Sequence, residues 1–513
     1  MDSSYIPQTQ LPGATRLVTD YLCQFDRVRG FYDHDPRQPD SFRAAAQSID
    51  YPAERRTALV EALRQQNGDS LALEALARPG TLVVATGQQV GLFSGPAYTV
   101  YKALTAARLA CHLTASGLEA VPLFWLATED HDFAEVNHCW VFDATGAPVR
   151  IEATGPTGHT VGGIPVPGEA TAQLRQVLRG LPFGEEVTKT VEAAYGDGAT
   201  FGSGFRRFLE RLLAPYGLLY LDPMHPGMRR LAAPLLRSAL SGASELTGRL
   251  LERNRELAAL GYHAQVYVDE QSSLLFLIDR GRRLALHGRL SAPELIDRAE
   301  QLSPNALLRP VVQDYLLPTV ATVCGPAELA YLAQAQVIYR ALLGRMPVAV
   351  PRAGFTLLDG RSARLMDRYG LELPDVLCGE SALEEKIARK LVPPDLRATL
   401  ENAGADAERI LGALGATLAG FDPTLAAALA TSRRKILYQF SKISRKAARE
   451  ALRRDERTRR DAAWLSALVY PRQRLQERFY SILPFLARHG PAAIKRLYDE
   501  IRLDDADHRV VIL

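Results

Sequence analysis

An apolar run at residues 81–85, Thr-Leu-Val-Val-Ala, leads into the glycine-containing stretch TGQQVGLFSGP, residues 86–96. An amphipathic run over 97–113 follows. A second apolar run, Ala120–Ala127, completes a strand–helix–strand unit long enough for a right-handed crossover. Further strands are predicted at 217–223, 264–269, 273–278, 319–323 and 347–352. Helical patterning marks 52–67, 205–213 and a segment opening at Ala327-Glu328, whose acidic first turn suits the helix dipole. This alternation predicts an α/β fold on a parallel sheet.

The pattern changes twice. Glycine, proline, threonine and alternating valine over 143–168 predict a small strand-rich insertion, and helical patterning resumes at Thr171. This connecting segment, 143–204, separates a first sheet half, with its N-terminal helices, in 1–142 from a second in 205–375. From 424 to 470 there is neither glycine nor proline, which predicts one helix about 70 Å long at 1.5 Å per residue. Leu429, Ile436, Phe440, Ile443 and Ala447 recur at close to 3.6 residues, so one stripe needs a partner. The preceding helical stretch, 382–418, is interrupted by Pro393-Pro394 and several glycines. An antiparallel helical arm over 376–470 results, with 471–513 returning as a helix and a strand. A two-helix arm leaves apolar surface over, which predicts a homodimer.

Composition narrows the class. The chain has 513 residues, 47% hydrophobic and 23% charged, the balance of a globular protein of two or three domains. No apolar run is long enough for a membrane span, and the N-terminus lacks a signal-peptide layout, so a cytoplasmic location without membrane contact is expected. A net charge of +3 does not argue for nucleic acid. The acidic residues interrupting the basic run at 433–460 point instead to a solvated helix face. Five widely separated cysteines show no metal-ligand spacing, and buried free thiols are expected for most of them. Cys324, beside a glycine turn, stands near a possible pocket.

Candidate chemistry gathers where the first two strands end. Ligands of open α/β sheets bind at the carboxyl ends of the strands. There the chain places Gln88, Gln89, Gly91, Phe93, Ser94 and Gly95, then Tyr98 and Lys102 on the crossover helix, from which a lysine can reach back to a bound anion. The second strand ends in EDHDFAEVNH, which holds Glu129, Asp130, His131, Asp132, Asn137 and His138. Adjacent carboxylates after a buried strand require cations, metal or substrate amines. His131 is a candidate general base, with Glu129, Asp130 and Asp132 as acidic partners. Arg309 and Arg352 are candidate carboxylate forks. Gln313 and Asp314 belong to the same patch as Arg309. The ELAYLAQAQ helix, with Glu328 and Tyr331, reads as a solvated face.

Four blocks closely resemble the cysteine ligase family of bacillithiol biosynthesis: TGQQVGLFSGPAYTVYKALTAARLA, VPLFWLATEDHDFAEVNH, LRPVVQDYLLPTVATVCGPAELAYLAQ and the terminal QERFYSILPFLARHG with DHRVVIL. The resemblance implies a Rossmann-like core similar to class I nucleotidyltransferases, connecting insertions, and a coiled coil used for dimerisation. It also implies the final pathway step, the joining of cysteine to glucosaminyl malate. No HIGH-type histidine pair follows the first strand, a departure from the wider nucleotidyltransferase pattern.

The resulting expectation is an amide-forming ligase that uses ATP or another nucleotide with magnesium. The first-strand loop and Lys102 would hold the activating phosphate or acyl oxygen. His131 or a neighbouring carboxylate would take the amine proton, and Glu129 or Asp130 would clamp the cysteine ammonium. The alternatives are a non-catalytic nucleotide-binding dimer organising the pathway and a metal-dependent hydrolase using Asp130, His131 and His138.

Overall fold

The computed structural model describes residues 3–286 and 293–513. Two compact units divide the chain: residues 358–476 with Ile512 form one, and the remainder forms the other. In chain order the strands are β1 (Ser3–Ile6), β2 (Leu82–Gln89), β3 (Ala120–Ala127), β4 (His138–Phe142), β5 (Pro148–Glu152), β6 (Leu219–Leu221) and β7 (Leu275–Asp279). They continue with β8 (Arg282–Ala285), β9 (Leu302–Pro304), β10 (Thr319–Cys324), β11 (Val348–Pro351), β12 (Gly354–Leu358) and β13 (His508–Ile512).

The core of the larger unit is a five-stranded parallel sheet in the order β11-β10-β2-β3-β6. Taken by position in the chain, this is the 3-2-1-4-5 order of a Rossmann fold, and it reverses direction between β2 and β10. Alternation along each strand supplies both faces. Val83, Ala85, Leu123 and Trp125 enter one apolar cluster, while Leu82, Val84, Val320 and Val323 enter the other. Such two-sided burial explains why these strands read as continuous apolar runs. The crossover helix Tyr98–Ala115 is buried around most of its circumference.

Several local expectations change. β2 runs on to Gln89, so Gln88 and Gln89 stand on the end of a strand and not in the loop. Residues 264–269 form no strand. Val266 satisfies its main-chain N–H and C=O on the Gln334 side chain, at 2.8 and 2.9 Å, in place of a neighbouring strand. The strand content expected at 143–168 reduces to the β4–β5 hairpin, which already begins at His138. The helices Gly168–Leu178 and Gly184–Ala194 follow, where helical patterning is expected from Thr171.

In the smaller unit, Pro394–Phe421 and Pro423–Arg454 form a helical hairpin. The glycines do not interrupt the first helix. The single long helix expected over 424–470 is two helices, because Asp455 caps a new one, Glu456–Val469, accepting from the Thr458 N–H at 3.1 Å. The apolar stripe also divides. Leu429 and Phe440 lie against Gly415 and Gly404 of the neighbouring helix, while Ile436 and Ile443 remain 39% and 52% exposed. Among the described residues no helix is long and apolar enough to cross a membrane.

Candidate functional site

The sheet's reversal point opens into a cavity of about 460 Å³. Gly87, Gln88 and Gln89 at the end of β2 line it, as do Gly325 and Glu328 just past β10. This is where a Rossmann fold places its ligand. The helix Pro326–Leu342 starts at the cavity, and Glu328 in its first turn accepts from the Gly325 N–H at 2.7 Å.

Lys102, only 1% exposed, reaches the same point from the crossover helix. Its ammonium lies 2.7 Å from Glu328 Oε2 and 3.3 Å from Gln88 Oε1, and it also donates to the Gly87 carbonyl. Burial lowers its pKa, and Glu328 opposes that shift. Glu328 Oε2 therefore has two donors, while its Oε1 has no hydrogen bond among the described residues. Gln88 Nε2 donates to the Tyr98 hydroxyl at 3.1 Å, and Arg352 lies over the Tyr98 ring, 5.2 Å from its centre.

The acidic block splits in two. Glu129 is buried and paired with Arg229 at 3.2 Å. Asp130 accepts from Gln89 Nε2 at 2.7 Å, from the His131 N–H at 2.7 Å and from Arg283 at 3.1 Å. Burial alone would raise the Asp130 pKa, but these three donors outweigh it and hold the carboxyl below the usual range. His131 packs at the edge of the cavity beside Phe276, with Nδ1 3.3 Å from Arg283. The same Nδ1 lies 3.5 Å from Asp130 Oδ1, so this nitrogen is occupied by the Arg283–Asp130 pair and not turned to the cavity's centre.

Other sequence candidates lie elsewhere. Asp132 caps the short helix Phe133–Val136, which turns the chain away. Asn137 donates to Glu152 across the β4–β5 hairpin at 3.2 Å, and His138 bonds Asn137 at 3.1 Å. Gly91, Phe93, Ser94 and Gly95 form a packed turn off the cavity. A Cβ on Gly91 would come within 3.0 Å of Gly95, and Phe93 stands edge-on to Tyr195. The Gly91 and Gly95 N–H groups are used within the turn, on the Gln89 and Leu92 carbonyls, and the Ala97 N–H at the helix start donates to the Tyr480 carbonyl at 2.7 Å. These three amides are therefore committed and do not serve a phosphate. Gln313 and Asp314 form a buried network with Tyr339. Cys324 is buried, and burial pushes its thiol well up.

Arg309 and Arg352 do line the cavity. Arg352 grips Glu477 with both guanidinium nitrogens. Arg309 donates to the Tyr331 hydroxyl at 2.9 Å and has no carboxylate partner among the described residues. Arg478 also lines the cavity and makes no ion pair among them. The carboxylates lining the cavity are each paired: Glu129 with Arg229, Asp130 with Arg283, Glu328 with Lys102. Arg309 and Arg478 thus remain without an ion pair among the described residues, although the Glu328 charge acts on Arg309. No local pattern marks Arg283 or Arg478, and Glu328 and Tyr331, expected on a solvated helix face, line the cavity instead. The capping position of Glu328, three residues after Gly325, was the one local signal available for it.

Fold and site define a Rossmann-like α/β protein with a cationic ligand cavity at the sheet's reversal point. Residues 1–353 match the family described as bacillithiol biosynthesis BshC, N-terminal Rossmann-like domain, and residues 355–513 its C-terminal coiled-coil domain. A protein of Solibacter usitatus is 53% identical over the full length of both chains. One of Koribacter versatilis is 36% identical over 99% of each, and one of Symbiobacterium thermophilum 33% over 97% of each. All three carry the name "Putative cysteine ligase BshC". The chain belongs to the bacillithiol biosynthesis BshC family.

Proposed function

We propose that this protein is a ligase that joins the carboxyl of L-cysteine to the amine of glucosaminyl malate, closing bacillithiol biosynthesis, and that the core cavity is where it does so. The observation carrying this reading is the presence in one cavity of an open carboxylate oxygen, Glu328 Oε1, and two guanidinium groups that form no ion pair among the described residues, Arg309 and Arg478. A sugar amine joined to a dicarboxylate matches that arrangement.

Amide formation makes a bond from the carboxyl carbon to the amine nitrogen, expels a carboxyl oxygen and removes a proton from the amine. Arg309 and Arg478 bind the malate carboxylates. Glu328 Oε1 takes the proton from the amine, and Asp130, held ionised, faces the cysteine ammonium. Lys102 supplies positive charge beside the reacting carbonyl. ATP with magnesium is the proposed co-reactant; it would activate the cysteine carboxyl, so that the expelled oxygen leaves with phosphate or AMP.

The hydrolase alternative needs Asp130, His131 and His138 together. Among the described residues no three His, Cys, Asp or Glu side chains converge as a metal site. The arm's exposed Ile436, Tyr438 and Ile443 favour a homodimer through the coiled coil. The proposed reaction is tested by mass spectrometry of purified protein incubated with cysteine, glucosaminyl malate, ATP and magnesium. A condensed product supports it, and absence of product across nucleotides and thiol conditions overturns it.

A further inference from the structure

In the smaller unit, Arg361, Arg364 and Arg368 recur three and four residues apart along the helix Gly360–Tyr369. Arg457 and Arg460 recur three apart along Glu456–Val469. Each set shares one helix face. Together these five arginines line a cavity of about 550 Å³, with only Leu365 and Asp461 beside them.

The one carboxylate there is already engaged. Asp461 accepts from the Tyr369 hydroxyl at 3.0 Å and lies 3.7 Å from Arg361. Arg361 also stacks on Trp464, 3.9 Å from the ring centre. Arg364, Arg368 and Arg457 form no ion pair among the described residues, and Arg460 donates only to the Glu456 carbonyl, at 3.4 Å. Some arginines of this unit do find carboxylates, as Arg389 does with Glu385 and Arg433 with Glu408. In the cavity five arginines face a single engaged carboxylate, and clustered like charges repel unless an anion joins them.

We propose that this cavity is a second binding site, distinct from the core cavity, for a small anion carrying two or more phosphate groups. Guanidinium forks match phosphate oxygens in bidentate fashion, and two helices present them from two sides. The lining has no aromatic ring, so nothing there stacks a base, and the ligand is recognised by its charge.

The test is isothermal titration of the full-length protein with inorganic pyrophosphate, in an Arg309→Ala/Arg478→Ala background that removes the unpaired cations of the core cavity. The expected result is saturable binding at physiological salt, weakened about tenfold or more by adding Arg364→Ala and Arg457→Ala. Arg364→Lys/Arg457→Lys, which keeps the charge, controls for folding and should retain weaker binding. No saturable binding, or equal binding with both alanines present, overturns the proposal. So does tighter binding of a short single-stranded RNA than of pyrophosphate, which would make the patch a nucleic-acid surface.

Discussion

Lys102 Nζ lies 2.7 Å from Glu328 Oε2, joining the crossover helix after β2 to the helix after β10 across the reversal point of the sheet. The lysine side chain is 1% exposed and the glutamate 21%, so the pair is largely removed from water. Removing one member of such a pair leaves a buried charge without compensation. Lys102→Met should therefore cost about 3 kcal/mol in urea unfolding, and Lys102→Met/Glu328→Leu should cost less than Lys102→Met alone. A single variant as stable as wild type would mean that the pair contributes nothing.

Asp130 supplies a pH signature. Its folded pKa is held below the ordinary 3.8, so its contribution is fully present above the unfolded value and is lost as pH falls through the folded one. Wild type should exceed Asp130→Asn in stability at neutral pH, and the gap should close as pH falls below the ordinary 3.8 and through the folded value. Thermal melts across an acid series measure this. A gap that does not change with pH would contradict the assigned ionisation.

Arg478 is exposed and makes no ion pair among the described residues, so Arg478→Ala should leave the melting temperature unchanged. If it binds an anionic substrate, the same change should raise KM for that substrate by about tenfold or more, the worth of one charge-assisted hydrogen bond. Arg309→Ala should do likewise with some loss of stability, because it also frees the Tyr331 hydroxyl. Unchanged KM in both variants would remove the cationic cavity from substrate binding.

The arm allows a sharper test of assembly. Ile436 and Ile443 are exposed on Pro423–Arg454, whereas Phe440 faces the neighbouring helix of its own chain. Ile436→Glu/Ile443→Glu should shift sedimentation toward monomer without unfolding the arm. Wild-type protein that sediments as a monomer at micromolar concentration would show that this face has no partner.

Much of this was legible in the chain. β3 occupies Ala120–Ala127 as the apolar run predicts, and the helix after β10 opens with its acidic first turn. Local pattern sufficed there because both strands are buried on two faces. At the site it sufficed only in part. Gln88, Gln89, Glu129 and Asp130 follow directly from strand ends and line the cavity. Asp132, Asn137 and His138 share the acidic block but leave the cavity because Asp132 starts a helical turn. Arg283 arrives from the β7–β8 hairpin and Arg478 from the C-terminal segment, at separations that no motif spacing encodes. The glycines of the TGQQVGLFSGP turn lack the spacing of a phosphate loop, and the close approach of Gly91 to Gly95 gives them a packing role.

The central claim is that amine deprotonation belongs to Glu328 at the reversal point and not to His131 at the cavity's edge. Mass-spectrometric rates of cysteine–glucosaminyl malate condensation, compared among wild type, Glu328→Gln and His131→Ala, test it most directly. Glu328→Gln should lower the rate by about 100-fold or more, the usual worth of a general base, while His131→Ala stays within about tenfold of wild type. The reverse order, with His131→Ala inactive and Glu328→Gln near wild type, would contradict the account.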